Sequence, residues 1–300
     1  MDLPGLYKDK RFDKTTFMDS RFNRMSPWWQ STPPGVITCL GNGDIVISDA
    51  RKFLKRLNSE SADIVFLDPP FNLGKSYGAK DPKADLLNEE KYLKFLRKIL
   101  KQSARVLKPG GSLYLYHIPR WAVACASILQ KRLQFRHWIS ISMKNGFVRP
   151  NHLYPAHYAL LYFTKGAPAV FRRPKIAPSR CRHCKKLIKD YGGYEKFVRD
   201  GVNLSDVWED LSPVRHKKYK HRKANELHPE ISRRVLEMSG VPLGLFVDPF
   251  AGAGSSLIAA AETGMFFAAC DREKENCTLI YKRMRDLTGR PKIFREDTRS

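Results

Sequence analysis

The four residues Asp68-Pro69-Pro70-Phe71 follow the apolar run 63–67 and carry groups that can act on an aromatic amine. Such an amine is a poor nucleophile while its lone pair is delocalised into the ring. The Asp68 carboxylate can accept one N–H, and the Pro69 carbonyl, held by the rigid proline pair, can accept the other. The lone pair can then attack an activated methyl group while the carboxylate stabilises the developing positive charge. Phe71 offers a flat face for an extruded base, so these residue types suit methyl transfer to an exocyclic amine, which requires no metal.

A second run, Phe250-Ala251-Gly252-Ala253-Gly254, lies between the apolar stretch 245–247 and an apolar helix that starts near Ser255. A glycine turn at such a junction lets the backbone approach a ligand closely and aims helix N–H groups at an anionic group. No Lys precedes Ser255, which argues against a nucleoside triphosphate loop, and the third small residue of a dinucleotide fingerprint is missing. Asp271 ends the next apolar run, where a carboxylate can bind ribose hydroxyls. The pattern predicts a ligand with an adenosine-like sugar.

Each pattern also has a simpler interpretation. Asp68 could be an incidental residue where two prolines end a strand, and the glycine run could be a tight turn without a ligand. Asp49, which precedes the helical stretch 50–58, has the type and position of a helix N-cap. The occurrence of both motifs in one chain favours a shared site.

Together the motifs resemble those of the S-adenosylmethionine-dependent DNA amino-methyltransferases, with their (Asp/Asn/Ser)-Pro-Pro-(Tyr/Phe/Trp) turn and Phe-x-Gly-x-Gly loop. The order, with the catalytic turn first, then a basic insertion and then the cofactor loop, is similar to that of the permuted β group, and the resemblance covers residues 36 to 300. It implies S-adenosylmethionine as cofactor, with the adenine near Asp49, the ribose at Asp271 and the methionine carboxylate at Ser255. The other cofactor residues that it implies are Asn225, Asp248, Phe250, Gly252 and Gly254.

The resemblance also implies a fold and an activity. The fold is an α/β, Rossmann-like methyltransferase fold with a mostly parallel seven-stranded sheet, helices on both faces and a basic insertion. The activity is methylation of adenine N6 in double-stranded DNA after base flipping, because Asp at position 68 is more usual for adenine in that family. Cytosine N4 methylation is the nearest alternative, followed by a catalytically silent DNA-binding relative and by an RNA or protein amine methyltransferase. A cognate restriction endonuclease and a homodimer are compatible with it.

Local periodicity supplies elements that can position these residues. The run 36–47 predicts a β-hairpin around Gly41-Asn42-Gly43, and alternating apolar strands and amphipathic helices follow to residue 164 and resume after residue 228. This alternation indicates an α/β domain with a largely parallel sheet. We expect an N-terminal arm (1–35), a catalytic half (36–164), a target-recognition insertion (165–223) and a cofactor-binding half (224–300).

Charge points to a polyanionic partner. The 300 residues contain 54 Lys and Arg against 30 Asp and Glu, a formal charge of +24. The stretch 165–223 alone holds 17 basic and 6 acidic residues, and nucleic acid is the partner that such a balance favours most. The candidate DNA contacts within it are Arg172, Arg173, Lys185, Lys186, Arg215, Lys217, Lys218 and Lys220.

Four of the six cysteines are scattered, a usage typical of a reducing compartment. Cys181 and Cys184 have the spacing of half a zinc knuckle, but no second Cys pair follows, so two reduced thiols are expected and no metal is predicted. No apolar run approaches the roughly 20 residues that span a bilayer, and the first residues do not resemble a secretory signal. We therefore expect a cytoplasmic protein that does not enter a membrane.

Overall fold

The computed structural model describes residues 26–31, 33–34, 36–39, 43–73, 87–142, 150–151, 153–181, 183–187, 199–211 and 227–288. Five of the predicted site residues lie outside these ranges: Asn225, Arg215, Lys217, Lys218 and Lys220.

Strands and helices alternate along the described chain as the apolar periodicity predicts. The strands are β1 (Val36–Cys39), β2 (Gly43–Ile47), β3 (Ala62–Leu67), β4 (Leu107–His117), β5 (Gln134–Ser142), β6 (His157–Thr164), β7 (Lys175–Ile176), β8 (Val202–Asn203), β9 (Val207–Trp208), β10 (Leu245–Asp248) and β11 (Phe266–Asp271). The helices are α1 (Ala50–Arg56), α2 (Glu89–Val106), α3 (Pro119–Leu129), α4 (Pro229–Ser239), α5 (Ser255–Glu262) and α6 (Lys274–Thr288). The three shortest strands, β7, β8 and β9, lie where no regular pattern was predicted.

Helix α2 shows how local sequence sets these boundaries. The Asn88 side chain accepts a hydrogen bond from the backbone N–H of Lys91 at 2.9 Å and so caps the first turn. Leu96, Ile99 and Leu100 are buried at the spacing of one helical face. The helix ends at Val106, three residues before Pro109.

Within the described ranges, nine strands form one sheet in the order β1-β2-β11-β10-β3-β4-β6-β5-β9. Neighbouring strands from β2 to β4 run parallel, whereas β6 is antiparallel to both β4 and β5. The seven strands from β2 to β5 form the mostly parallel sheet that the resemblance implies. The predicted hairpin adds β1 at one edge, and β9 adds a ninth strand at the other by pairing parallel with β5.

The centre of the sheet places the two motifs side by side. Strands β10 and β3 are parallel neighbours, with Phe246 opposite Ile64 and Val247 opposite Val65. Val65 packs into the hydrophobic cluster on one face of the sheet and Ile64 into the cluster on the other, and both are 0% exposed. Burial on both faces explains the uninterrupted apolar sequence of β3. Asp68 and the glycine loop therefore follow strand ends at the same edge.

Part of the stretch expected to be an N-terminal arm packs against the core. Trp28 and Trp29 are buried, and the Trp29 indole N–H donates to a carboxylate oxygen of Asp44 at 2.7 Å. The backbone of the next residue contacts the end of α1, since the Gln30 N–H donates to the Arg56 carbonyl at 2.8 Å. Residues 26–30 thus belong to the packed domain.

Residues 207–211 of the basic stretch are attached to the main sheet and to α4. Trp208 is fully buried, and the Arg234 guanidinium lies 5.1 Å from its ring centroid. Arg234 also pairs with the carboxylate of Asp210. No helix among the described residues is both long and apolar enough to cross a lipid bilayer.

Candidate active site

An open cleft at the carboxyl ends of β3 and β10 brings the two sequence motifs together. Its volume is about 320 Å³, counting space open to solvent. The lining residues are Phe66, Asp68, Leu227, Asp248, Phe250, Ala251, Gly252, Ala253, Ser255 and Ser256. One residue predicted for catalysis, Asp68, therefore shares a cavity with four predicted for cofactor binding: Asp248, Phe250, Gly252 and Ser255. The other described candidates of these two sets are not among the lining residues: Pro69, Pro70, Phe71, Asp49, Gly254 and Asp271.

The backbone of the glycine loop adopts a conformation that requires glycine. Gly252 and Gly254 have φ angles of 53° and 76°, in the left-handed region. A Cβ atom on Gly254 would also lie 2.7 Å from Cγ1 of Ile280. Gly254 is the N-cap of α5, and Ser255 begins the helix. The loop thus delivers the N-terminal end of a helix to the cleft, a place that favours anionic groups.

Asp248 is a buried residue that stabilises the glycine loop through hydrogen bonds. Its side chain is only 2% exposed, and its two oxygens accept hydrogen bonds from Phe250 N–H at 2.8 Å and from the Ser256 hydroxyl at 2.5 Å. A buried carboxylate needs such partners to offset its lost hydration. Ser256 was not predicted, and nothing in the local sequence separates it from Ser255.

Asp271 holds the loop from the neighbouring strand. Its Oδ2 accepts a hydrogen bond from the Gly252 N–H at 2.9 Å, while its Oδ1 accepts from Glu273 N–H and from the Asn276 side chain. The Arg283 guanidinium donates to the Ala253 carbonyl on the same loop. The carboxylate that was predicted to bind a ribose therefore stabilises the glycine loop through a backbone hydrogen bond.

Asp49 is a helix cap, as its simpler interpretation predicted. It accepts a hydrogen bond from Arg51 N–H at 2.9 Å and forms two further bonds with the Arg51 guanidinium, each 2.8 Å long. The side-chain hydrogen bond from Arg51, the largest effect, lowers the pKa of Asp49. Asp49 does not line the cleft itself. Arg51 lies 5.7 Å from the Phe95 ring centroid, and Phe95 contacts Phe250 edge to face, which links Asp49 to the cleft.

Three residues that sequence reasoning missed hold the Asp-Pro-Pro-Phe turn. The Tyr92 hydroxyl hydrogen-bonds to the Pro70 carbonyl and lies 2.8 Å from Nε2 of His117. His117 ends β4 just as Asp68 follows β3, so a polar residue at the end of an apolar strand was the signal that could have found it. Tyr92 lies on the apolar face of α2 and is indistinguishable from core by sequence. The Trp121 indole N–H also donates to the Phe71 carbonyl at 3.2 Å.

An aromatic cluster surrounds Phe71. Its ring centroid lies 5.1 Å from that of His117 in a stacked arrangement, 5.9 Å from that of Tyr116 and 5.7 Å from that of Tyr158. Burial, followed by the charges of Tyr158 and Asp68, raises the pKa of Tyr116 well above its ordinary value. Phe71 is therefore held by neighbouring rings beside Asp68.

The four described DNA-contact candidates differ in their surroundings. The Arg172 guanidinium donates to the Gly240 carbonyl at 2.9 Å, so it caps the end of α4. All four residues, Arg172 included, are exposed. Cationic side chains at the surface suit phosphate contacts, and all four remain predictions.

Cys181 and Cys184 lie in a tight hairpin. The Cys181 N–H donates to the Lys186 carbonyl at 2.8 Å, and the Lys185 N–H donates back to the Cys181 carbonyl at 3.0 Å. Both cysteines are free thiols. Within the described ranges, no group of three or more His, Cys, Asp or Glu side chains could hold a metal ion.

Comparison with known proteins places this geometry in a family. A family model described as DNA methylase matches residues 62–282. Type II methyltransferase M.BamHI of Bacillus amyloliquefaciens is 39% identical over 254 residues, which cover 84% of this chain and 59% of the relative. Type II methyltransferase M.HpaI of Haemophilus parainfluenzae is 33% identical over 215 residues, 70% of this chain and 64% of the relative.

The chain thus spans about three fifths of the length of these two relatives. A crystal structure of an M1.HpyAVI–SAM complex matches the fold with a TM-score of 0.54 and 17% identity, covering 80% of this chain and 98% of that one. The family model covers more than two thirds of the chain and includes both motifs that line the cleft. The protein belongs to the DNA methylase family.

Proposed function

We propose that this protein transfers a methyl group from S-adenosylmethionine to an exocyclic amine of a base in double-stranded DNA, with adenine N6 as the target. One observation carries the proposal: Asp68 and the glycine loop line the same cleft. A donor held by the loop and an amine held by the Asp68 turn would then meet. Methyl transfer requires this juxtaposition, whereas DNA binding alone does not.

The residues of the cleft fit the proposed cofactor. The left-handed glycines leave the loop backbone without side chains at its closest approach, and Ser255 begins a helix whose N–H groups suit the methionine carboxylate. We assign the ribose to Asp271, whose Oδ2 accepts a hydrogen bond from Gly252 N–H on the same loop. When bound, the sulfonium supplies an activated methyl group. The M1.HpyAVI–SAM complex, which shares the fold, supports this assignment.

The Asp-Pro-Pro-Phe turn supplies what the amine needs. The Asp68 carboxylate accepts one N–H and stabilises the charge that develops on nitrogen, while the Pro69 carbonyl accepts the second N–H. Phe71, steadied by its aromatic neighbours, offers a stacking surface for a flipped base. The chain's own contribution is therefore positioning and electrostatic stabilisation.

The net charge of +24 supports DNA as the substrate, and the names of the two relatives support a role in restriction-modification beside a cognate endonuclease. Adenine is proposed on the identity of residue 68, Asp. The two acceptors would hold cytosine N4 in the same way.

Product analysis tests the proposal. The chain is incubated with duplex DNA and methyl-labelled S-adenosylmethionine, and the DNA is digested to nucleosides that are identified by mass spectrometry. N6-methyldeoxyadenosine supports the full proposal. N4-methyldeoxycytidine overturns the choice of base and retains DNA amino-methylation. The absence of label from DNA, with cofactor binding intact, indicates a catalytically silent relative.

A further inference from the structure

A hydrogen-bonded chain of two buried residues ends on the catalytic turn. Tyr92 on α2 is 2% exposed, and His117 at the end of β4 is 0% exposed. Nε2 of His117 lies 2.8 Å from the Tyr92 hydroxyl oxygen, and that hydroxyl hydrogen-bonds to the Pro70 carbonyl. Buried polar groups of this kind are costly unless each has a partner, so the arrangement is strongly constrained.

The second ring nitrogen of His117 shows which atom donates in each of these two hydrogen bonds. Its Nδ1 accepts a hydrogen bond from the Ile118 N–H at 2.9 Å, so the ring proton lies on Nε2. Nε2–H must then donate to the Tyr92 oxygen, and the Tyr92 hydroxyl must donate to the Pro70 carbonyl. Burial lowers the pKa of His117 to about 3, which keeps the ring in this neutral form near pH 7.

The consequence falls on the two proline carbonyls. Because the proline rings restrict φ, fixing the Pro70 carbonyl against Tyr92 also restricts the orientation of the preceding peptide. The Pro70 carbonyl accepts the buried hydroxyl, and the Pro69 carbonyl is the one that accepts the amine in the proposed function. The same His117 ring stacks on Phe71 with 26° between the ring planes. The buried His117 ring thus contacts the Phe71 ring directly and the Pro70 carbonyl through the Tyr92 hydroxyl.

We propose that Tyr92 and His117 are positioning residues for amino-methylation, which set the proline carbonyls and the Phe71 ring without touching the substrate. This inference rests on the proposed function. A shift of the turn by a fraction of an ångström should reduce alignment of the amine with the methyl donor, and we expect Tyr92→Phe to lower kcat about tenfold to a hundredfold. Affinity for S-adenosylmethionine should stay the same because the glycine loop is not altered.

The test compares Tyr92→Phe with a matched control, Tyr114→Phe. Tyr114 is another fully buried tyrosine whose hydroxyl is hydrogen-bonded, here to the Ser239 hydroxyl at 2.7 Å, and it does not line the cleft. Single-turnover methylation rates, KM values and cofactor dissociation constants are measured for both variants, together with urea unfolding. We expect a fall in kcat for Tyr92→Phe and an unchanged kcat for Tyr114→Phe at a similar loss of stability.

Rescue at His117 adds a second arm. His117→Gln keeps an N–H donor near the Tyr92 oxygen and should retain more of the rate than His117→Leu, which has none. Nitrogen-15 NMR of the histidine ring needs no turnover and should show the Nε2–H tautomer in the wild-type protein.

Equal rates for Tyr92→Phe and wild type, or an Nδ1–H tautomer, would overturn the positioning role while leaving methylation intact. A wild-type protein that transfers no methyl group to DNA would instead overturn the proposed function, and the positioning role with it.

Discussion

The backbone N–H of Gly252 donates a hydrogen bond to Oδ2 of Asp271, 2.9 Å away, and so ties the glycine turn after β10 to the end of the neighbouring strand β11. The turn is therefore held in place by an acid that lies 19 residues further along the chain. A left-handed turn whose conformation is costly to fix is pre-ordered by this contact before any ligand arrives.

Asp271→Ala should loosen the glycine turn. The substitution removes three hydrogen bonds, those from Gly252, Glu273 and Asn276, and we expect unfolding to require about 1–3 kcal/mol less free energy. Cofactor affinity should fall by about tenfold or more, as calorimetric titration would show. Asn276→Ala, which removes one of the three bonds, is the control and should have a smaller effect on both. Full cofactor affinity in Asp271→Ala would exclude a role for this acid in shaping the site.

Asp68→Ala should show the opposite pattern. Asp68 lines the cleft together with residues of the glycine loop, and in the proposed function its carboxylate acts on the amine rather than on the donor. We expect kcat to fall by about a hundredfold or more, with cofactor affinity nearly unchanged. Rapid-quench methylation assays and calorimetry measure the two quantities separately. A parallel collapse of cofactor binding would argue that residue 68 belongs to the cofactor site.

Acid should destabilise the folded protein through His117. In the unfolded chain a histidine binds a proton near pH 6.5, whereas burial lowers the pKa of folded His117 to about 3. Below pH 6.5 the unfolded state therefore binds more protons than the folded state. As the pH is lowered from 6.5 towards 3, the free energy of unfolding decreases by at most about 1.4 kcal/mol per pH unit. Urea unfolding across pH 4–8 should show a steeper decline for wild type than for His117→Gln. Parallel curves would indicate that His117 titrates normally.

Substitutions at the neighbouring residues Arg172 and Arg173 should affect different properties, namely the stability of the fold and the affinity for DNA. Arg172→Ala removes the donor to the Gly240 carbonyl at the end of α4, and we expect the free energy of unfolding to fall by about 1 kcal/mol. Arg173→Ala should instead weaken DNA binding and reduce the slope of log affinity against log salt by about one. Denaturation curves and salt-dependent fluorescence anisotropy distinguish these outcomes. Loss of DNA affinity in Arg172→Ala without loss of stability would show that Arg172 contacts DNA and does not stabilise α4.

The sequence alone was sufficient for the local features of the site. Proline and glycine end strands through their own backbone chemistry, so the positions of Asp68, Asp248 and Asp271 at strand ends could be derived from apolar runs and turn residues. The helix cap at Asp49 followed from the same local rules. The family resemblance then supplied the roles that spacing alone leaves open.

Tertiary structure decided which of these residues meet. Asp68 and Asp248 are 180 positions apart in the sequence, and they share a cleft because β3 and β10 pair in the sheet. The Tyr92–His117 chain, the Asp271–Gly252 bond and the capping of α4 by Arg172 likewise join residues from separate elements. Local periodicity encodes the type and ends of an element but not its neighbours, because the order of strands depends on how the whole chain buries its apolar surface.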